Sequence, residues 1–154
     1  MRVLFVCTAN ICRSVMAEAV LKNLLSGQEN RVEVESAGVH VFFGLTPDKF
    51  TKKVCFDHGM DVSSHEPRQL TKEMIDQSDV VLCLAENHQQ TILSAYPRLE
   101  PKVFLLKKFR QERDVQNPSV DDPIGKPLEH YEHCFEEIEE EVKRIAPLLI
   151  HEEP

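Results

Sequence analysis

Cys7 and Arg13 stand six positions apart in Cys7-Thr8-Ala9-Asn10-Ile11-Cys12-Arg13-Ser14, and none of the other four cysteines has an arginine at that spacing. A thiol and a guanidinium so placed could serve phosphoryl transfer. The thiolate is a strong nucleophile, and the planar fork of arginine grips two phosphate oxygens as a lysine cannot. Transfer to sulfur also needs an acid for the leaving oxygen. Asp121-Asp122-Pro123-Ile124-Gly125 offers carboxylates, although Asp–Pro in a loop is equally a plain turn signal. On spacing alone, Cys7 could also be a small buried hydrophobe ending a strand, with Arg13 on the surface.

The elements around the pair favour the chemical reading. Val3-Leu4-Phe5-Val6 is an apolar run of strand length, suited to burial on both faces. After the break at residues 7–13, Ser14 is placed to cap a helix through Met16, Ala17, Val20, Leu21 and Leu24. The loop N–H groups then converge at a helix N-terminus, which attracts anions and favours a thiolate. Val32, Val34 and Ser36 predict a second strand closed by Ala37-Gly38. Thr46-Pro47-Asp48 predicts a cap with Pro at the first helical position, in a helix ended by Gly59.

Thr71 caps a short helix ending near Ser78. Val80-Val81-Leu82-Cys83-Leu84 and Val103-Phe104-Leu105-Leu106 read as buried strands flanking a helix from about Glu86 to Ala95. The stretch from Phe109 to Pro127 is punctuated by Asn117-Pro118, Asp122-Pro123 and Gly125, and reads as a long loop of the kind that carries function. Leu128, Tyr131, Phe135, Ile138, Val142, Ile145 and Leu149 step by three and four along a last helix. Glu136, Glu137, Glu140 and Lys143 lie on its solvated side. Strands alternating with helices predict one α/β domain over residues 1–154. Its architecture is doubly wound: a four-stranded parallel sheet of order 2-1-3-4, with helices on both faces. In such sheets ligands bind beyond the carboxyl ends of the strands, where the break after Val6 falls.

Bulk properties fit that domain. The 42% hydrophobic and 29% charged residues are ordinary for a globular chain, and the net charge of −8 argues against a nucleic-acid partner. Five cysteines read as free thiols, only Met1 and Arg2 precede the first apolar run, and no run spans a membrane. A cytoplasmic location is therefore expected. No His/Cys/Asp set has ligand spacing, so no metal and no cofactor are expected; His130 and His133 read as exposed surface.

The stretch Val6 to Ser14, followed by Met16-Ala17-Glu18-Ala19, resembles the N-terminal signature of the low-molecular-weight protein tyrosine phosphatases. The similarity continues through Ser36-Ala37-Gly38, His58-Gly59-Met60, Ser64 to Thr71 and Asp79-Val80-Val81-Leu82-Cys83, and ends at Asp122-Pro123-Ile124-Gly125. It covers nearly the whole chain, in the family's order.

The resemblance implies that Cys7 is the nucleophile. Residues 8–14 (Thr8, Ala9, Asn10, Ile11, Cys12, Arg13 and Ser14) form the phosphate-binding loop, which takes inorganic phosphate or similar oxyanions. Arg13 binds the phosphate oxygens, and Asp122 protonates the leaving phenol and then activates water. Asn10, in a left-handed backbone that Asn tolerates, joins Ser14, Ser36 and His65 in a supporting network, and Ser14 also stabilises the leaving Cys7 thiolate. Ile11, Phe42 and Ile124 fall where the pocket wall lies; Phe42-Phe43 by itself could equally be core or a loop anchor. The implied partners are phosphotyrosine proteins, with a cognate tyrosine kinase as a candidate. Cys12, five residues from Cys7 in the same loop, is either a redox partner for it or a residue filling space at the helix start.

The chain departs from the family at Val15, where Pro is usual, and at Ile124 and Gly125, where aromatic residues often follow Asp–Pro. Tyr131 could compensate for those aromatics, but its helix stripe places it in the core. Other activities share the scaffold. Arsenate reductases need two further cysteines near the third strand, where this chain has Cys83 and Gln90. Protein arginine phosphatases carry a small polar residue where Ile11 stands, and Ile11 offers a flat ring an apolar floor. A cysteine phosphocarrier needs no in-loop arginine paired with a distant acid, and a phosphopeptide-binding module could dispense with Cys7. The reading is a metal-independent protein tyrosine phosphatase working through a phosphocysteine.

Overall fold

The computed structural model describes residues 1–151. Along the chain run β1 (Arg2–Cys7), α1 (Arg13–Leu24), β2 (Glu33–Gly38), α2 (Lys49–Asp57), α3 (Lys72–Gln77), β3 (Val80–Cys83), α4 (Glu86–Ala95), β4 (Val103–Leu105) and α5 (Leu128–Ile150). A 3₁₀ turn, Pro97–Lys102, leads into β4. The four strands pair in parallel in the order β2-β1-β3-β4, as expected, so β1 is central and paired on both edges.

The alternation along β1 shows why its apolar run is continuous. Val3 and Phe5 face a cluster built with Met16, Val20, Phe135 and Ile138, from α1 and α5. Leu4 and Val6 face Ile75 of α3 and Ile92 of α4. Every residue from Val3 to Cys7 is buried, because helices cover both faces of a parallel sheet. No helix among the described residues is long and apolar enough to cross a membrane.

Three local expectations are corrected. Ser14 does not cap α1: the helix starts at Arg13 after Cys12, and the Ser14 hydroxyl serves the active-site loop instead. Thr46-Pro47 lies ahead of α2, whose flanking residue is Asp48, because the Asp48 N–H is held by the Ile11 carbonyl at 3.0 Å. Glu137 is not on the solvated face of α5; it meets the Lys107 ammonium at 2.5 Å. Gly59 does end α2, with φ of 83°, and Thr71 does cap α3 through the Met74 N–H.

Candidate active site

The chain leaves β1 at Cys7 and enters α1 at Arg13, so residues 8–12 must turn within five positions. Asn10 makes that turn with φ of 56°, in the left-handed region as expected. No backbone N–H of residues 8–13 donates to a backbone carbonyl among the described residues, which leaves these donors for an anion. β2 flanks the loop: Val39 N–H bonds the Cys7 carbonyl at 3.0 Å and His40 N–H the Thr8 carbonyl at 2.8 Å. Gly38 is required at this crossing. A Cβ there would lie 2.6 Å from the Thr8 carbonyl oxygen and 2.9 Å from the Ala9 carbonyl carbon.

Asn10 is the hub of the loop. Its Nδ2 donates to Ser14 Oγ at 2.7 Å and to Ser36 Oγ at 2.9 Å. Its Oδ1 accepts from Arg68 N–H at 3.0 Å and from His65 Nε2 at 3.1 Å, so all four amide valences are used. The Ser36 hydroxyl in turn donates a hydrogen bond outward to Glu18 Oε1 at 2.8 Å. Because Ser14 Oγ accepts from Asn10, its own hydrogen is free for Cys7 Sγ, 2.9 Å away. Burial pushes His65 below its ordinary value, so the ring is neutral at pH 7 and its Nε2–H donates. Ser14, Ser36, Asn10 and His65 thus come together, joined by Glu18 and Arg68, which the sequence reading did not assign to the network. Glu18 lies one helical turn beyond Ser14 on α1, and that i, i+4 spacing was its available signal.

Arg13 is almost fully buried, and the long loop closes over it. Its Nη1 donates to the Val120 carbonyl at 2.9 Å, and Nη2 stands 3.6 Å from Asp122 Oδ2. The Asp122 side chain is 47% exposed, at the rim, while its Oδ1 accepts from Ile124 N–H at 3.1 Å. Val120 N–H is pinned to the Leu84 carbonyl at 2.8 Å. Beneath, the buried Lys107 ammonium binds the carbonyls of Asn117 and Ser119 at 3.1 and 3.0 Å and pairs with Glu137. Arg13 and Asp122 therefore meet from a helix start and a loop more than 100 residues away, and Cys7 ends the strand that leads into the Arg13 loop.

His88 is a further residue that sequence reading missed. It is fully buried at the start of α4, where its Nδ1 accepts from Ala85 N–H at 3.1 Å and its Nε2 lies 2.9 Å from Thr8 Oγ1. A polar residue at the third helical position was its one sequence signal.

The residues expected to form the pocket wall differ in character. Phe42 is 72% exposed in the loop that follows β2, and Ile124 is 44% exposed. Ile11, in the loop between β1 and α1, is partly buried, and Tyr131 is buried in edge-to-face contact with Phe50 at 5.2 Å, a core role. Cys12 is buried; a hydrogen bond with Cys134 is the main cause, ahead of burial, that raises its pKa well above the ordinary thiol value. All five cysteines are free thiols.

Known proteins resemble this chain over nearly its whole length. The family model described as low molecular weight phosphotyrosine protein phosphatase matches residues 2–153. A protein-arginine-phosphatase of Geobacillus stearothermophilus is 38% identical over 96% of this chain and 95% of its own. A probable low molecular weight protein-tyrosine-phosphatase, EpsP, of Ralstonia nicotianae is 34% identical over 96% and 94%. The solved YwlE arginine phosphatase, a C7S mutant with a phosphorylated active-site serine, superposes with a TM-score of 0.90 at 31% identity, covering 99% of this chain and 97% of that one. The chain belongs to the low molecular weight phosphotyrosine protein phosphatase family, whose members are cysteine-dependent hydrolases acting on phosphorylated proteins.

Proposed function

We propose that this chain hydrolyses phosphotyrosine in cytoplasmic proteins through a phosphocysteine on Cys7. The observation that carries the reading is the Arg13 guanidinium 3.6 Å from the Asp122 carboxyl, in the same loop where Cys7 Sγ lies 2.9 Å from Ser14 Oγ. The phosphate occupies the ring of free N–H groups, with two oxygens on the Arg13 fork. The Cys7 thiolate attacks phosphorus as the P–O bond to the phenol breaks, and the Asp122 acid gives its proton to the leaving oxygen. Asp122, now a carboxylate, takes a proton from water as that water attacks phosphorus, and the P–S bond breaks. Inorganic phosphate leaves, and the returning thiolate is received by the Ser14 hydroxyl.

Tyrosine is preferred because Ile11, in the loop, presents a hydrocarbon surface to a flat ring, with Phe42 and Ile124 as the remaining walls of the mouth. The 38% identical arginine phosphatase supports a second reading, phosphoarginine hydrolysis on the same machinery. No aromatic side chain follows Asp122-Pro123 here, which removes one tyrosine-specific contact. A panel of phosphotyrosine, phosphoserine and phosphoarginine peptides decides. We expect metal-independent turnover fastest on phosphotyrosine, and none in Cys7→Ser. Faster turnover of phosphoarginine would overturn the preference, and activity in Cys7→Ser would overturn the mechanism.

Cys12 is the proposed redox partner of Cys7. Peroxide oxidises the Cys7 thiolate to sulfenic acid; the Cys12 thiol condenses with it, forming S–S and releasing water. Dithiothreitol then restores wild type after peroxide, whereas Cys12→Ser recovers less. Equal recovery leaves Cys12 as packing against Cys134.

A further inference from the structure

The imidazole of His88 has no part in the reaction described above, yet it is fully buried against the phosphate loop. Its hydrogen bonds define its tautomer. Ala85 N–H donates to Nδ1, so that nitrogen carries no proton and Nε2 carries the only one of the neutral ring. Burial, with Arg13 as the second cause, pushes its pKa down to about 3, so the ring is neutral wherever the protein works. Nε2–H therefore donates to Thr8 Oγ1 over 2.9 Å. Arg13 Nη2 donates to the same oxygen at 3.3 Å. The 3.5 Å approach of Arg13 Nη2 to His88 Nε2 joins two donors and is a packing contact, not a hydrogen bond.

From this geometry we infer that His88 is a positioning residue for Arg13: its Nε2–H orients the Thr8 hydroxyl as a double acceptor, and that hydroxyl fixes the Nη2 edge of the phosphate-gripping guanidinium. The guanidinium is then held at two ends, by Val120 on Nη1 and by Thr8 on Nη2. A fork fixed before substrate arrives does not have to be ordered when phosphate binds. The inference rests on Arg13 gripping phosphate, as proposed above.

A residue at this place could instead serve only the helix, since a side chain at the third position that accepts the N-terminal N–H is an ordinary capping device. Two substitutions separate the roles. His88→Glu and His88→Gln both keep an acceptor for Ala85 N–H, and Glu is the usual residue in that capping arrangement. Only Gln retains an N–H for Thr8. Because Glu also brings a charge beside Arg13, Thr8→Val is the neutral control: it leaves the His88 cap intact and removes only the hydroxyl that His88 and Arg13 share.

Competitive inhibition of aryl phosphate turnover by inorganic phosphate reads the grip directly, with thermal melting as a measure of folding. His88→Glu and Thr8→Val are each expected to raise the phosphate inhibition constant about tenfold or more, the scale of one hydrogen bond to a charged group, while His88→Gln stays near wild type, and a wild-type constant in Thr8→Val would overturn the inference. Equal inhibition constants in Glu, Gln and wild type would reduce His88 to a helix cap. In unmutated protein, nitrogen NMR should find the His88 proton on Nε2; a proton on Nδ1 overturns the inference without any variant. Wild type that neither turns over aryl phosphate nor binds phosphate would defeat the reading of the site itself, and is told apart because no mutation is involved.

Discussion

The loop after β1 and the residues proposed as the mouth of its pocket are built on opposite principles. In the loop, Asn10 is fully buried with all four amide hydrogen bonds made, and Ser14, Ser36 and Thr8 each hold fixed partners. At the mouth, Phe42 and Phe43 stand mostly in solvent, and Ile124 is more than a third exposed. A buried polar group left unpaired costs about 1–3 kcal/mol, so the loop tolerates one arrangement and little drift. The mouth carries no such penalty. On the proposed function, reaction chemistry would reside in the rigid part and substrate choice in the part free to vary.

The largest expected effect sits where the two regions meet. Asp122 reaches Arg13 from the exposed loop, and its neighbour Asp121 makes no contact with Arg13 among the described residues. Asp122→Ala is expected to lower kcat about 10²–10⁴-fold, the usual share of a general acid. The loss should shrink with a leaving group that needs no proton. Asp121→Ala should retain most activity. Steady-state kinetics on a series of aryl phosphates checks both, and a crippled Asp121→Ala would move the acid by one residue.

Next comes a test of how little drift the loop tolerates. Gly38 is not a residue of the reaction, but an added Cβ would press within 3 Å of the Thr8 and Ala9 backbone. Backbone atoms cannot rotate away, so the loop itself must move. Gly38→Ala is expected to cost about 1–3 kcal/mol of stability from overpacking. A displacement approaching 1 Å would lower kcat up to roughly 10²-fold. Melting together with kcat measures the two. Wild-type kcat in a destabilised Gly38→Ala would show that the strain relaxes into Val41 instead of the loop.

The legibility of the molecule in its sequence follows the same division. β1 and α5 announce themselves because burial on both faces gives a continuous apolar run and burial on one face gives a stripe. The approach of Asp122 to Arg13 is foreshadowed by motif and chain order, and the turn at Asn10 by its tolerance of a left-handed backbone. What escapes is contact across sequence distance. Nothing local distinguishes Lys107 from any lysine after a strand, yet it ties down the loop carrying Asp122 and recruits Glu137 from α5. Ser14 has the look of a cap in sequence, but its side chain answers to Asn10 and Cys7 and the helix begins one residue earlier, at Arg13. His88 pairs with Thr8, 80 positions away.

The smallest effects belong to the mouth, and they change which substrate is taken more than how fast. Ile11 sits between the regions: its carbonyl accepts from Asp48 N–H, fixing the backbone, while its side chain remains partly exposed. Ile11→Thr leaves that backbone bond intact and removes hydrocarbon from the pocket floor. Loss of one or two methylenes' worth of contact changes discrimination by about 10–200-fold. We expect the phosphotyrosine to phosphoarginine ratio of kcat/KM to fall by about tenfold, toward the lower end, because the floor is not sealed from water. Phe42→Ala should do less. A side chain that is 72% exposed when free becomes a wall only once substrate covers it, so its loss should raise KM for phosphotyrosine peptides a few-fold and leave kcat alone. A fall in kcat for Phe42→Ala, with KM unchanged, would place Phe42 in the rigid region after all, gripping the transition state and not the bound ring.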